Sequence, residues 1–322
     1  MLDTLKRYCS LHATPGDEAE VFAALLRDWK AQGLDTRVFG SLAVCACPGE
    51  RKKSDTLLLV AHADCPGFTV DAVQPDGEAT VIPLGGIRQK EPADLMLKTA
   101  SGLHPAHLER PPAASAPWLH GLPLRVTFPE PCPDLRKGDR LCWASHWEEK
   151  DGLVTTPFLD NRSGCALVAD WHARFAGLLP EFNVVVAATA MEEVNGFGAA
   201  VLARQVEADA VIVLDATYEN KAQGIALGKG PVVTLSDASC ILSPTLRDRL
   251  LASGVPLQTE VYNFSGTDAR AFPQSGATMP VVPLLLPTRG NHGPREVCAV
   301  DDLTAWPAAI AALARTLFEP IP

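Results

Sequence analysis

Two histidines and a scattered set of acids stand out because each follows a run of apolar residues. His62 and Asp64 close TLLLVAHAD (56–64), and Asp160 lies in PFLDNRSG. Glu192 and Glu193 follow VVVAATAM, Asp215 follows AVIVL, and His292 lies in LLLPTRGNHGP. Imidazole and carboxylate ligands without thiolate suit zinc, cobalt or manganese. One carboxylate can bridge two such ions about 3.5–4 Å apart, each ion then taking one His and one further acid. The inventory holds two histidines, a bridge candidate, two further acids and a spare glutamate able to take a proton from an attacking water. Asp64, two residues from His62, is placed to hold the other imidazole nitrogen. Taken singly, each feature has an ordinary explanation. A histidine after a strand is usually just hydrogen-bonded, an EE pair is usually a solvated helix start, and LDN or LDAT are common turn or cap sequences. Their joint placement is what argues for convergence, because the carboxyl ends of strands in an open α/β sheet form one crevice.

The elements that must do this positioning are legible as alternating helix and strand. Residues 14–33 read as a helix, with Thr14 as cap, Pro15 and Asp17 in its first turn, Val21, Phe22, Leu25, Leu26 and Trp29 at helical spacing, and Gly33 as its stop. Residues 163–179 read as an amphipathic helix, 182–193 as a buried strand, 196–206 as a helix and 208–217 as another buried strand. A helix near 243–253, strands near 257–261 and 278–286, and a closing helix from about 301 to 318 complete the series. Between about 70 and 154 the texture differs: short β-like pieces (FTVDAV, ATVIPL, LPLRVTF, DRLCWAS, LVTTP) alternate with Pro-rich stretches such as ERPPAASAP and FPEPCPD. The pattern predicts an α/β fold with a mostly parallel sheet and a small β-rich module inserted in it.

Composition narrows the function. The 322 residues are 47% hydrophobic and 20% charged. That is enough apolar material for a large core. A net charge of −10, with no dense Lys/Arg run, disfavours nucleic acid and anionic lipid as partners. No apolar run approaches the roughly 20 residues of a membrane span. The start, MLDTLKRYCS, lacks an apolar signal region. The nine cysteines contain no CxxC pair. They read as reduced, mostly buried thiols of a cytoplasmic protein, with Cys45 and Cys47 as the two faces of a short strand. There is no G-x-S-x-G elbow, G-x-G-x-x-G or Walker loop.

The order H-x-D, D, EE, D, H resembles that of co-catalytic metallopeptidases and their deacetylase relatives. The segments AHADCPGFTV, PLGGI, FLDNRSG, ATAMEEVNGFGA, VIVLDAT, SGTDA and PTRGNHGP resemble, over nearly the whole chain, the TET-type aminopeptidases, metallopeptidase family forty-two. The resemblance implies a layered phosphorylase/hydrolase-like catalytic domain (1–69 and 155–322) and an inserted β-rich domain (70–154) serving assembly or access. It implies two divalent ions, zinc or cobalt or else manganese, and removal of N-terminal residues from short peptides. It also implies homo-oligomers, from dimers up to hollow dodecamers. Carried over residue by residue, Asp160 bridges the ions, His62 and Asp215 complete one, and Glu193 and His292 complete the other. Glu192 is the general base and Asp64 orients His62. Three departures are visible: Cys65 stands where the family usually has an acid, the insert is short and rich in Pro and His (His104, His107, His120), and the EEV segment continues as NGFGA, which gives the loop beyond Glu192 its own shape.

Asp268 and Arg270 in SGTDAR are candidates for substrate or supporting contacts, against capping of a helix by Thr267 or Asp268. Arg289 could fork onto a substrate carboxylate or form a structural ion pair. His12 and His172 read as structural, and ASHWEEK (144–150) as a surface turn. Two other functions use the same residues: a metal-dependent deacylase or carboxypeptidase, and a non-catalytic paralogue acting as an assembly subunit.

Overall fold

The computed structural model describes every residue except 51–53, 76, 88–90, 111–122, 263–264 and 319–322. The chain begins with helices α1 (Leu2–Tyr8) and α2 (Ala19–Ala31) and strands β1 (Asp35–Phe39), β2 (Ala43–Cys47) and β3 (Thr56–His62). Six strands follow: β4 (Gly67–Val73), β5 (Ala79–Leu84), β6 (Ala93–Thr99), β7 (Gly102–Leu108), β8 (Leu124–Thr127) and β9 (Arg140–Trp143). Then come β10 (Glu148–Lys150), β11 (Leu153–Thr156), α3 (Leu159–Asp170), β12 (Asn183–Thr189), α4 (Phe197–Gln205) and β13 (Ala210–Tyr218). The last third holds β14 (Val232–Ser236), α5 (Pro244–Ala252), β15 (Gln258–Val261), α6 (Ala271–Gln274), β16 (Val281–Thr288), β17 (Glu296–Ala299) and α7 (Val300–Phe318).

The eight-stranded sheet runs β1-β2-β12-β3-β13-β16-β14-β15. Its four middle strands, β12, β3, β13 and β16, are mutually parallel, and antiparallel pairings to β2 and β14 flank them. All seven residues of β3 are buried, because helices cover both faces of the sheet. The period of two shows in where they point. Leu57, Leu59 and Ala61 join the core under α1, α2, α3 and α7, while Leu58 and Val60 join the core under α4 and α6. Strands β4 to β9 close into a barrel filled by Phe68, Val81, Leu97, Val126 and Trp143. The rings of Phe68 and Trp143 meet edge to face there, with centroids 5.3 Å apart. Such a pair adds to the burial of both rings. Strands β10, β11 and β17 form a separate small sheet that ties the chain after the barrel to the segment before α7.

Several expectations need correction. Helix α2 starts at Ala19, not at 14, and Thr14 caps nothing; Pro15 and Gly16, at φ +84°, turn the chain first, with Asp17 N–H on the Thr14 carbonyl at 2.8 Å. The helix expected through 179 ends at Asp170 and continues as a π turn (Trp171–Phe175) and a 3-10 turn (Ala176–Leu178). It is also buried on every side from Leu159 to Ala169, so it lacks the polar face expected of it. Strands β6 and β7 carry no clean apolar alternation, since Lys98, His104, Pro105 and His107 interrupt it, yet they pair over their full length in the barrel wall. The segment ASHWEEK ends in edge strand β10. Cys45 and Cys47, two apart on β2, share one face, as strand geometry requires. Both pack on the core under α4. His120 and most of ERPPAASAP lie outside the described residues.

Helix α4 meets the sheet with almost no clearance. A Cβ added at Gly198 would sit 2.3 Å from the Leu42 carbonyl oxygen and 2.4 Å from the Ala190 nitrogen. Helix propensity alone favours Ala over Gly by about 1 kcal/mol, but a backbone clash of this kind costs about 1–3 kcal/mol. Gly198→Ala is therefore expected to lower the urea midpoint of unfolding; an unchanged or raised midpoint would contradict this packing.

Candidate metal centre

Convergence comes from the order of the strands. His62 is the last residue of β3, Asp215 lies near the end of β13, Glu192 and Glu193 lie just past β12, and His292 lies just past β16. These four strands are neighbours and parallel, so their carboxyl ends open on one side. Asp160 enters from the start of α3, where it and Asn161 keep non-helical dihedrals. Asn161 anchors this entry by donating to the Leu214 carbonyl at 2.7 Å and accepting from Gly164 N–H at 3.0 Å. Met191, at φ 61°, and His292, at φ 62°, hold left-handed backbone next to the acids. Strain of that kind persists only where the surrounding structure enforces it.

Two groups of ligand atoms result, His62, Asp160 and Asp215 in one and Asp160, Glu193 and His292 in the other, each with its atoms within 4.8 Å of one another. His62 Nε2 lies 3.1 Å from Asp160 Oδ1 and 3.2 Å from Asp215 Oδ1. His292 Nε2 lies 3.2 Å from Asp160 Oδ2 and 3.6 Å from Glu193 Oε2. Asp160 thus offers one oxygen to each group. Its Oδ1 and the Glu193 Oε1 are buried without a hydrogen bond, although His62 lies near the former. Burial costs such oxygens free energy unless a donor or cation meets them, and an oxygen- and nitrogen-only donor set of this size fits divalent cations.

The electrostatics agree. Burial, with repulsion from Asp160, pushes the Glu193 carboxyl up to about 8. Burial likewise pushes Asp215 up to about 6 and Glu192 well above its usual range. Asp160 is lowered in spite of burial because the imidazoles of His292 and His62 both lie against it. Burial works against the His292 imidazolium, but Glu193 and Asp160 raise it to about 10. The cluster holds more carboxylate than nearby cation, so positive charge added there would lower every raised acid.

A second set of residues fixes this arrangement. Asp64 accepts from Glu192 N–H at 3.0 Å and Glu193 N–H at 3.1 Å, holding the two glutamates in place. His62 Nδ1 meets the Asp64 main-chain oxygen at 3.1 Å and its carboxylate at 3.6 Å. His292 Nδ1 lies 2.9 Å from the Gly86 carbonyl oxygen of the barrel side. Asp268 accepts from the Thr189 hydroxyl and is buried; Thr267, not Asp268, caps its turn. Arg270 pairs with Glu192 at 3.2 Å and lines the adjoining cavity. Arg289 is 56% exposed on its side chain and pairs with Glu219 at 2.9 Å, away from that cavity. His12 is buried near Asp17.

Three supporting residues escape sequence reasoning. Glu296 accepts from Asp160 N–H and His292 N–H, both at 2.9 Å, and so clamps two candidate ligands through their backbones. Glu18 accepts from Met191 N–H at 3.1 Å. Arg162 is fully buried and donates to the carbonyls of Ala63 and of Ala13, the latter at 3.3 Å. These contacts give Cys65 a physical role: its thiol donates to the Ala13 carbonyl at 2.8 Å and lies 3.7 Å from Arg162 Nη2. No local pattern marks Glu18 or Glu296, which look like surface acids until the fold turns them inward.

Fold and site define an α/β domain with a cluster of candidate metal ligands at the ends of its central strands. The model for the M42 glutamyl aminopeptidase family matches residues 132–307, and the chain belongs to that family. It is a metal-dependent peptide hydrolase. The glutamyl aminopeptidase of Lactococcus lactis is 22% identical over 327 residues, covering 94% of this chain and 92% of the relative. The TET1 peptidase of Pyrococcus horikoshii, which assembles into a tetrahedron or a large octahedral shell, is 23% identical with TM-score 0.84, covering 97% of this chain and 98% of that one. An aminopeptidase of Desulfurococcus kamchatkensis is 22% identical with TM-score 0.85, covering 99% of this chain and 98% of that one. Among the described residues no helix is long and apolar enough to cross a membrane.

Removing the Glu296 carboxylate leaves a buried amide, that of Asp160, and a partly buried one, that of His292, without an acceptor. Glu296→Ala is expected to destabilise metal-free protein by about 3 kcal/mol in urea unfolding, and Glu296→Gln by less, since it keeps one acceptor oxygen. Equal stability of wild type and the Ala variant would refute the clamp.

Proposed function

We propose that the chain is a dinuclear metal aminopeptidase acting on short peptides. The observation that supports this best is the sharing of Asp160 between two otherwise separate ligand groups. In this reading Asp160 would be shared by two divalent ions, zinc, cobalt or manganese. His62 and Asp215 would hold one, and Glu193 and His292 would hold the other. When bound, such a pair polarises the scissile carbonyl and acidifies the attacking water. Glu192, whose carboxylate is not in either group, takes the proton of that water and returns it to the leaving amine. Arg270 steadies Glu192 from the cavity side. Asp64 keeps Glu192 and Glu193 in register through their amides.

The substrate enters the cavity of about 780 Å³ lined by Leu84, Gly85, Val194, Tyr262, Arg270 and His292, with Glu192 and Glu193 on its wall. That size suits a few residues of extended peptide. Its acids favour a free N-terminal ammonium group near the centre, which separates an aminopeptidase from a deacylase of N-blocked substrates. Homo-oligomeric assembly, through surfaces that include the barrel, and a cytoplasmic location complete the reading.

Metal analysis and peptidase assays on the same preparation test it. About two equivalents of metal, and release of N-terminal residues that stops with chelator and returns on reconstitution, are expected. Glu192→Gln is expected to lower kcat by about 10²–10⁴ while bound metal is unchanged. Unaltered kcat in that variant would remove Glu192 from the role of base. Metal-loaded protein that cleaves only N-acyl amino acids would replace the aminopeptidase with the deacylase.

A further inference from the structure

The inserted barrel carries a second constellation that the peptidase chemistry does not use. His104 projects from β7, and Cys132 and Asp134 lie in the connection from β8 to β9, which crosses the turn of the β6–β7 hairpin. One ligand atom from each of the three lies within 4.8 Å of the others, and Cys132 Sγ is 3.6 Å from Asp134 Oδ1. Donors on a tetrahedral zinc ion stand about 3.5 Å apart, given bond lengths of about 2.0–2.3 Å. Closing the triad around an ion therefore draws any pair of donors together by at most about 1.3 Å, and Cys132 and Asp134 already stand at the required spacing.

The surroundings already order two of the three ligands. Ser101 N–H donates to Asp134 Oδ2 at 2.9 Å, joining the loop to the hairpin turn. The hydroxyls of Thr99 and Ser101 each lie 3.0 Å from His104 Nε2 and fix the imidazole at the same place. Pro133, between the two loop ligands, restricts the backbone that carries them. Cys132 packs partly against the barrel core, and all three residues are half-buried, accessible to an ion from solvent.

We infer that His104, Cys132 and Asp134 form a further metal site on the barrel, for zinc or a similar borderline divalent ion. The donor set decides the class of ion. Thiolate with imidazole and carboxylate selects zinc or cobalt and disfavours magnesium and calcium, which take oxygen ligands. Three protein ligands leave the fourth position to water. The bound ion would pin the loop after β8 to the β6–β7 hairpin.

Cobalt distinguishes this site from the peptidase centre, whose candidate ligands are all nitrogen and oxygen. The full-length protein loaded at micromolar free cobalt is expected to show a near-ultraviolet thiolate-to-cobalt charge-transfer band. Cys132→Ser is expected to abolish the band and to lower bound metal by about one equivalent. His104→Ala, which keeps the thiol, is expected to do the same. No band in the wild type, or a band that survives either substitution, overturns the site, the latter because another thiol would then be the ligand. The result does not depend on how many ions the peptidase centre holds, since only the difference in metal and the sulfur-specific band are read.

Discussion

Buried negative charge is the constraint around which this molecule is built. Asp64, Asp160, Glu192, Glu193, Asp215, Asp268 and Glu296 lie close together with little access to water, and among the described residues two imidazoles and one guanidinium are the cations in contact with them. Such a cluster is unfavourable unless something rigid holds it and something positive answers it. The rigid part is the parallel quartet β12, β3, β13 and β16, whose ladders fix where each strand end points. The positive part, in the proposed reading, is the pair of cations that Asp160 would share.

Much of the surrounding structure serves to hold acids by their backbones. Asp64 takes the amides of both glutamates, Glu296 takes those of Asp160 and His292, and Glu18 takes that of Met191. Each of these carboxylates is satisfied by N–H donors, so it supports the cluster without competing with the candidate ligands. Met191 and His292 remain at positive φ, because these amide contacts over-determine the turns. Arg162 and Cys65 add a further tie: a buried guanidinium and a thiol meet the carbonyls of Ala13 and Ala63 and lock the loop after β3 to the segment before α2.

The barrel belongs to this arrangement as well as standing apart from it. Its strand β4 begins five residues after His62, and Gly86, just beyond β5, accepts from the His292 ring. Leu84 and Gly85 form part of the cavity wall. A module read from its sequence as an insertion for assembly or access therefore also shapes the space next to Glu192 and His292. Its own hydrophobic filling, distinct from the two cores beside the large sheet, lets it do so as a firm body.

The sequence by itself determined the alternation of buried strands with helices, the β-rich interruption, and which acids and histidines sit at strand ends. Those follow from local patterns: apolar runs of strand length, helical spacing and the residue types that come next. Tertiary structure alone decided that β12, β3, β13 and β16 are neighbours, which brings His62 within 3.2 Å of Asp215, 153 positions away. It alone turned Glu18 and Glu296 inward, buried α3 on every side, paired β6 with β7 despite their polar residues, and sent Arg289 to Glu219 while Arg270 reached Glu192. A side chain's neighbours across a sheet or between layers are set by strand order and packing, and no window of sequence contains that information.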